Sequence, residues 1–375
     1  MSVRSAGIRI DQKFASYNWQ LFGAVSLFTA IGIILLYSAG FNNEETWALK
    51  QLYTALIFIP IMLFIGFIDI KTFYDQAYVL YAVGLVLLII AEILGYKAMG
   101  AQRWIRLGPI NFQPSEFMKL FVILALARYF HQLHTNEIGV IPKLFIPVLI
   151  VLVPAALILK QPNLGTASII LLIGASMFFL AGVRAWKFIT LGILGMVSLP
   201  IVWGFMHDYQ KKRVLTFLDP ESDPLGSGYN IIQSMIAIGS GGFWGKSYMH
   251  GSQSQLNFIP EKQTDFIFSV LAEEFGFLGV VVIFALSAYL IYCCYRIALH
   301  TKGQFQRLVT LGVATTFFLH LVINTAMISG SIPVVGTPFP FLSYGRSNLI
   351  TMLIGFGIVL SACHSGHTQR RSSKF

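Results

Sequence analysis

Asp265 is the acidic residue of this sequence best placed to act as a general base. It follows Thr264 at the end of a polar region spanning 207–265 and directly precedes a long apolar stretch. One interpretation is that Thr264 caps the next helix and Asp265 complements the positive end of its dipole. The other is that Asp265, partly shielded from water, accepts a proton from a hydroxyl group in a transfer reaction. The residues themselves leave both interpretations open.

A second cluster of polar residues surrounds the start of an apolar stretch at Pro114 and Ser115. It contains Arg103, Trp104, Arg106, Glu116 and Lys119. Glu116 and Lys119 are three residues apart, so we expect them on one face of a helix. An anionic ligand such as a lipid diphosphate would account for three cations on the outer side of a membrane, where basic residues are rare. The alternative is an interfacial ion pair with snorkelling side chains and a Trp at the membrane boundary.

Two further motifs do not indicate a site. The run 240–247, Ser-Gly-Gly-Phe-Trp-Gly-Lys-Ser, resembles a phosphate loop, but it has Ser240 in place of the first glycine and follows no α/β strand. The pairs His131/His134 and His364/His367 have no carboxylate or cysteine beside them, so solvated histidines are favoured over a metal site. We therefore predict no protein-built metal centre.

The elements that position these residues are membrane helices. Of the 375 residues, 56% are apolar and 11% are charged, and the mean hydropathy is +0.71. Such a chain cannot cover a water-facing surface, which excludes most cytosolic enzymes and nucleic-acid binders. A spanning helix needs about 20 apolar residues. Ten stretches qualify: 20–40, 49–68, 76–96, 115–131, 143–159, 165–181, 188–205, 268–296, 308–329 and 346–363.

Loop charges set the orientation of this bundle. Ten spans place both termini on one side, which we assign to the cytoplasm because fourteen basic and only four acidic residues fall there. This bias accounts for the net charge of +10, so a nucleic-acid partner is not required. We expect the connection 207–265 to be a folded loop with a short helix at 229–238. The proline-rich segment 330–347 is predicted to be re-entrant or interfacial.

The predicted fold is an all-α integral membrane protein, a bundle of about ten transmembrane helices with one large structured periplasmic loop. The sequence then resembles the SEDS family of shape, elongation, division and sporulation proteins. The matching segments lie at 100–105, 112–117, 161–166, 264–276 and 333–345, and the resemblance as a whole extends over essentially all ten spans and the large loop. The segments Val-Leu-Ala-Glu-Glu at 270–274 and 250–261 resemble the elongation members, typified by RodA, more than the division members, typified by FtsW.

This resemblance implies a peptidoglycan glycosyltransferase of the bacterial inner membrane. It implies that lipid II and a growing glycan strand are the substrates. A β-1,4 bond forms with inversion at the anomeric carbon of the donor, and undecaprenyl diphosphate is the leaving group. Asp265 matches the essential loop aspartate of the family and would be the catalytic base on the periplasmic side. Arg103, Trp104, Arg106, Glu116, Lys119 and Arg346 would line the substrate site, with Arg103 and Lys119 on the diphosphate and Glu116 orienting Lys119. A divalent cation, Mg²⁺ or Mn²⁺, is compatible with the diphosphate.

The implied partner is a class B penicillin-binding protein, the transpeptidase of the elongation complex. Two other functions stay open at this point: a flippase for the lipid-linked precursor, and a non-catalytic scaffold for the transpeptidase. The chain also departs from the family at two places. Asn163 stands where the family usually has an aspartate, so an acid role there is not expected. Arg346 and Asn348 stand in the family's Gly-Gly-Ser-Ser run, and Arg346 adds an outer cation.

Overall fold

The computed structural model describes residues 17–41, 46–98, 101–107, 110–134, 136–205, 208–219, 221 and 227–372. The helices of the membrane bundle are α1 (Trp19–Gly40), α2 (Trp47–Phe67), α3 (Ile70–Leu94), α4 (Pro114–Gln132), α5 (Ile141–Lys160), α6 (Leu164–Ala181), α7 (Ala185–Phe205), α11 (Ile267–His300), α12 (Gln304–Ile328) and α13 (Arg346–Ser372). Between α7 and α11 lie α8 (Asp208–Leu218), α9 (Ser227–Gly241) and α10 (Ser252–Gln255).

The all-α membrane class is confirmed. Within the described residues, eight helices are long and apolar enough to cross a membrane: α1, α2, α3, α5, α6, α11, α12 and the part Arg346–Cys363 of α13. Helix α4 carries Glu116, Lys119 and Arg128, and the apolar part of α7 is shorter, Ala185–Ser198. A helix therefore lies at each predicted range, while the crossing of the bilayer by α4 and α7 stays a prediction.

The start of one helix and the presence of a small sheet differ from the sequence analysis. Helix α3 begins at Ile70 rather than near residue 76, because the Asp69 side chain accepts a hydrogen bond from the backbone N–H of Lys71 at 3.0 Å and caps an earlier start. A small antiparallel sheet, β1 (Tyr96–Ala98), β2 (Ala101–Leu107) and β3 (Ile110–Phe112), was not predicted. Strands β1 and β3 have only three residues each, too few to show an alternating pattern, and the seven-residue β2 carries Arg103, Trp104 and Arg106.

Helix α11 is broken near its first third. Gly276 has φ 61° and ψ −160°, a conformation that only glycine adopts readily. Residues 242–247 fill the break. The N–H groups of Phe277 and Leu278 donate to the carbonyls of Gly242 and Phe243, and the N–H groups at 246 and 247 donate to those at 273 and 274. The 34 residues would extend about 51 Å as one straight helix, longer than the hydrocarbon core of about 30 Å, and the break at Gly276 divides them into two shorter parts.

The large loop is folded against the bundle. The predicted helix at 229–238 is confirmed within α9, which packs along α11. The Ser234 hydroxyl donates to the carbonyl of Ile328 at 3.0 Å and ties α9 to the end of α12. Gly241 allows close contact, since a Cβ there would lie 2.1 Å from the Ala272 carbonyl oxygen. Position 207, where the predicted loop begins, lies outside the described residues.

The segment between α12 and α13 re-enters the bundle, in line with its prediction. Phe339 and Phe341 are buried and pack among aromatic rings of the core. Phe339 stacks on Phe268 with ring centroids 5.6 Å apart, and Phe341 lies 5.8 Å from Phe28 and from Phe356. Helix α1 admits the segment at Gly32, where a Cβ would lie 2.1 Å from the Phe341 carbonyl oxygen. The re-entrant segment is therefore fixed on several sides.

Candidate active site

Asp265 lies in a turn that directly precedes α11 and is half-buried. The helix begins at Ile267 with Phe266 as its N-cap, and no side chain caps it. Thr264 instead donates its hydroxyl to Glu261, at 3.2 Å to the carbonyl and 3.0 Å to Oε2. The helix-capping interpretation of Thr264 is therefore wrong, because its hydroxyl is engaged in the preceding turn.

The re-entrant segment lies against the predicted base. A Cβ added at Gly336 would be 3.4 Å from Asp265 Oδ2, so the carboxylate faces this glycine. Gly336 is exposed and has φ 72°. The bare backbone at this position leaves space beside the carboxylate for a bound group.

The predicted Glu116–Lys119 pair is present and buried. Lys119 Nζ lies 2.8 Å from Glu116 Oε2, and the two residues are 1% and 4% exposed. Asn348 on α13 donates its Nδ2 to the same carboxylate oxygen at 2.7 Å. The family departure at Asn348 thus supplies a second donor to Glu116. This geometry confirms that the pair shares one face of α4.

His320 on α12 completes this buried cluster. Its Nδ1 lies 2.8 Å from the Thr316 carbonyl oxygen, and its Nε2 lies 2.9 Å from Lys119 Nζ. A carbonyl only accepts, so Nδ1 carries the hydrogen and Nε2 accepts from the ammonium. A small cavity of about 20 Å³, lined by Glu116, Lys119, Thr316 and Thr351 among others, adjoins the pair and is large enough for one water molecule.

The predicted arginines lie on segments that meet at the start of α13. Arg106 is exposed and pairs with Asn111 across β2 and β3. The carbonyl of Asn111 accepts a hydrogen bond from Ser347 Oγ at 3.3 Å, and Ser347 follows the half-buried Arg346. The register between β1 and β2 shifts at Arg103, which lies between the paired residues Gln102 and Trp104, so strand alternation does not determine which face of β2 Arg103 shares with Arg106.

Burial changes what can be expected of the other site residues. Arg103 and Trp104 are half-buried on β2, where Trp104 pairs with Tyr96. Lys119, by contrast, could reach a diphosphate only after losing its bonds to Glu116 and His320. Direct contact between Lys119 and a ligand therefore has a barrier that the sequence did not reveal.

The adjacent acids Glu273 and Glu274 anchor the large loop. Glu273 accepts from Lys246 Nζ at 2.9 Å and from the N–H groups of Gln253 and Ser254 at 2.8 and 3.0 Å. Glu274 accepts from Ser38 Oγ on α1 at 2.5 Å. The amides at 246 and 247 are bonded to α11, so the run that resembles a phosphate loop serves the helix break.

The structural roles of three polar residues were not predicted from the sequence. Asn163 caps α6 by accepting from the Thr166 N–H at 3.3 Å, which explains the side chain at this family departure. His320 and Asn324 lie one turn apart in α12, where a polar residue in a membrane helix indicates a role but not its partner. Across the part of the chain that the structure describes, no group of three or more His, Cys, Asp or Glu could hold a metal ion.

Comparison with known proteins identifies relatives along almost the whole chain. Residues 18–368 match the family model of the cell cycle proteins FtsW, RodA and SpoVE. The peptidoglycan glycosyltransferase MrdB of Escherichia coli (strain K12) is 42% identical over 319 residues, which are 84% of this chain and 83% of the relative.

Two solved structures resemble the fold. One is a chain of a peptidoglycan synthase complex in which polymerisation and crosslinking are coordinated. It has a TM-score of 0.80 and 34% identity, covering 92% of this chain and 97% of that one. The other is the rod shape determining protein RodA of Thermus thermophilus, with a TM-score of 0.70, 28% identity and coverage of 92% and 96%.

Proposed function

Because the chain belongs to the FtsW, RodA and SpoVE family of cell cycle proteins, we propose that it is a RodA-type peptidoglycan glycosyltransferase. It polymerises lipid II into glycan strands for cell-wall elongation and rod shape. The name of the E. coli relative supports the glycosyltransferase activity, and that of the T. thermophilus relative supports the role in rod shape. The observation that carries it is the half-buried Asp265 beside an exposed glycine, on a turn held by the re-entrant segment.

The proposed reaction is an inverting glycosyl transfer. The 4-hydroxyl of an acceptor GlcNAc attacks the anomeric carbon of the donor and forms the β-1,4 bond. The bond from that carbon to the diphosphate oxygen breaks, and undecaprenyl diphosphate leaves with the bonding electrons. Asp265 takes the hydroxyl proton. The leaving group is already activated, so the protein needs one base and positive groups near the departing charge.

Three arginines are assigned to the diphosphate. The segments that carry Arg103, Arg106 and Arg346 meet at β3 and the start of α13. A guanidinium group can bind a phosphate group through two parallel N–H···O hydrogen bonds. Trp104 lines the same site. The described residues form no metal cage, so a divalent cation would be held by the diphosphate oxygens themselves, and no step here involves one.

Glu116 and Lys119 act from the interior in this proposal. Their buried pair holds α4 to α12 and α13, and so fixes the wall of the site that the arginines occupy. Lys119 does not contact the ligand in this proposal, because its ammonium group is bonded to Glu116 and His320. Glu116 orients Lys119, as the resemblance implied.

The protein is a multi-pass membrane protein, and we place it in the bacterial inner membrane with both termini cytoplasmic and Asp265 periplasmic. The excess of basic residues on the inner segments supports this orientation. A class B penicillin-binding protein is the proposed partner, because a relative of the same fold is solved within a peptidoglycan synthase complex. Capture of that transpeptidase by the tagged full chain tests the pairing.

Incubation of the purified protein with lipid II tests the activity, with the glycan products resolved on a gel. A ladder of polymer supports the glycosyltransferase. Movement of lipid II across vesicle membranes without polymer would support the flippase instead. Neither product, with transpeptidase still bound, would leave the scaffold as the function.

A further inference from the structure

The backbone before Asp265 is held at three consecutive carbonyl groups. The carbonyl of Gln263 accepts from the Tyr344 N–H at 2.7 Å, that of Thr264 from Ser343 Oγ, and that of Asp265 from Asn324 Nδ2 at 2.8 Å. All three donors lie on α12 or on the chain between α12 and α13. A turn would ordinarily leave such carbonyls to water.

Asn324 joins this turn to the re-entrant segment. It is fully buried, and its Nδ2 donates both to the Asp265 carbonyl and to the Thr337 carbonyl, the latter at 2.6 Å. Both acceptors are carbonyls, so the amide can face them only with its nitrogen. Its Oδ1 is buried with no partner among the described residues. The orientation of Asn324 is therefore determined by its two donated bonds.

Ser343 makes a second connection of the same kind. Its hydroxyl donates to the Thr264 carbonyl and accepts from the Phe339 N–H at 2.7 Å, and the residue is 4% exposed. A carbonyl cannot donate, so the hydroxyl hydrogen is committed to Thr264. Because Phe339 is fixed in the aromatic core, Ser343 connects the Asp265 turn to a rigid support.

We propose that Asn324 and Ser343 are positioning residues for the Asp265 carboxylate. Ser343 holds the peptide group before the Asp265 Cα and Asn324 holds the peptide group after it, and together they set the direction in which Asp265 faces Gly336 and the acceptor hydroxyl. Neither side chain touches the reacting atoms in this scheme. A displacement of a catalytic group by about 1 Å can lower a rate by about 100-fold. This inference rests on the proposed function and adds two residues to it.

Steady-state polymerisation of lipid II by the full-length purified protein tests the proposal. The variants are Ser343→Ala, which removes one donor, and Asn324→Asp, which has nearly the same size but cannot donate when ionised. We expect kcat to fall about tenfold for Ser343→Ala and about 100-fold for Asn324→Asp, while KM stays within about twofold. Ser343→Thr retains the hydroxyl and should recover most of the lost rate.

Thr325→Ala is the matched control, since among the described residues the Thr325 hydroxyl bonds within α12, to the Leu321 carbonyl at 2.9 Å. Its rate should equal that of the parent. Melting temperature and monodispersity confirm folding, and Ser343→Ala carries the test if Asn324→Asp does not fold. Unchanged kcat in folded Ser343→Ala, or a rise in KM as large as the loss in kcat, would overturn the proposal.

An Asp265→Asn variant in the same assay distinguishes failure of the positioning role from failure of the proposed function. If it is inactive while the Ser343 and Asn324 variants retain full rates, the positioning role fails and the proposed function stands. If it is fully active, the base assignment itself fails.

Discussion

Replacing Lys119 by methionine should destabilise the protein strongly, because it leaves the Glu116 carboxylate in the interior without its cation. Glu116 is 4% exposed and would keep one donor, Asn348 Nδ2 at 2.7 Å. Removal of one partner from a buried ion pair costs about 3–5 kcal/mol of unfolding free energy. At about 2 °C per kcal/mol, the melting temperature should fall by about 6–10 °C.

The matched variants separate charge from packing. Glu116→Gln alone leaves the Lys119 ammonium buried among neutral acceptors without its counter-charge, so it should be destabilised to a similar degree. The double variant Glu116→Gln with Lys119→Met removes both charges and keeps an acceptor for Asn348. It should melt within about 3 °C of the parent, because a buried pair replaced as a unit is often close to neutral in stability.

Thermal unfolding of the four proteins in one detergent, followed by intrinsic fluorescence and by retention of a monodisperse peak, measures these differences. A Lys119→Met protein that melts with the parent would refute the buried-pair interpretation. A double variant as unstable as the single variants would show that side-chain volume and not charge determines the effect.

Three other predictions concern residues that shape the site. Gly276→Ala should lower the unfolding free energy by at least about 1–3 kcal/mol, because φ is 61° and a Cβ would lie 2.3 Å from the Gly245 nitrogen. In the same melting experiment Gly192→Ala should be neutral, since its Cβ would meet no neighbouring segment of the described residues within 4 Å. Gly336→Ala should lower kcat/KM for lipid II polymerisation about tenfold, because its methyl group would occupy the space 3.4 Å from Asp265 Oδ2. An unchanged rate would contradict binding of the acceptor hydroxyl in that space. His320→Leu should lower the unfolding free energy by about 1.5–3 kcal/mol, because it removes the acceptor of Lys119. His320→Gln offers an amide oxygen at the same place and should lower it less. Equal losses of unfolding free energy in the two variants would argue against the assigned tautomer.

The features that the sequence predicts correctly are those determined by local residue patterns. Lipid cannot satisfy backbone polar groups, so the apolar stretches appear as helices, and the spacing of Glu116 and Lys119 places them on one face of α4. The start of α3 was misplaced because Asp75 and Gln76 interrupt the apolar pattern although Asp69 caps the helix upstream.

The features that the sequence does not predict depend on contacts between residues far apart in the chain. The break at Gly276 depends on residues 242–247, which supply the replacement hydrogen bonds. His320 lies 201 positions from Lys119, and nothing in the sequence near either residue indicates that they meet. Asn324 could be noted only as a polar residue in a span, because its two acceptors are backbone carbonyls of other segments.

Glycan synthesis from lipid II by Asp265→Asn tests the central assignment most directly. Asparagine keeps the size of the side chain but cannot take a proton from the acceptor hydroxyl. With melting temperature and transpeptidase capture equal to those of the parent, we expect the variant to form no glycan polymer. Polymer formation at the parental rate would contradict Asp265 as the base.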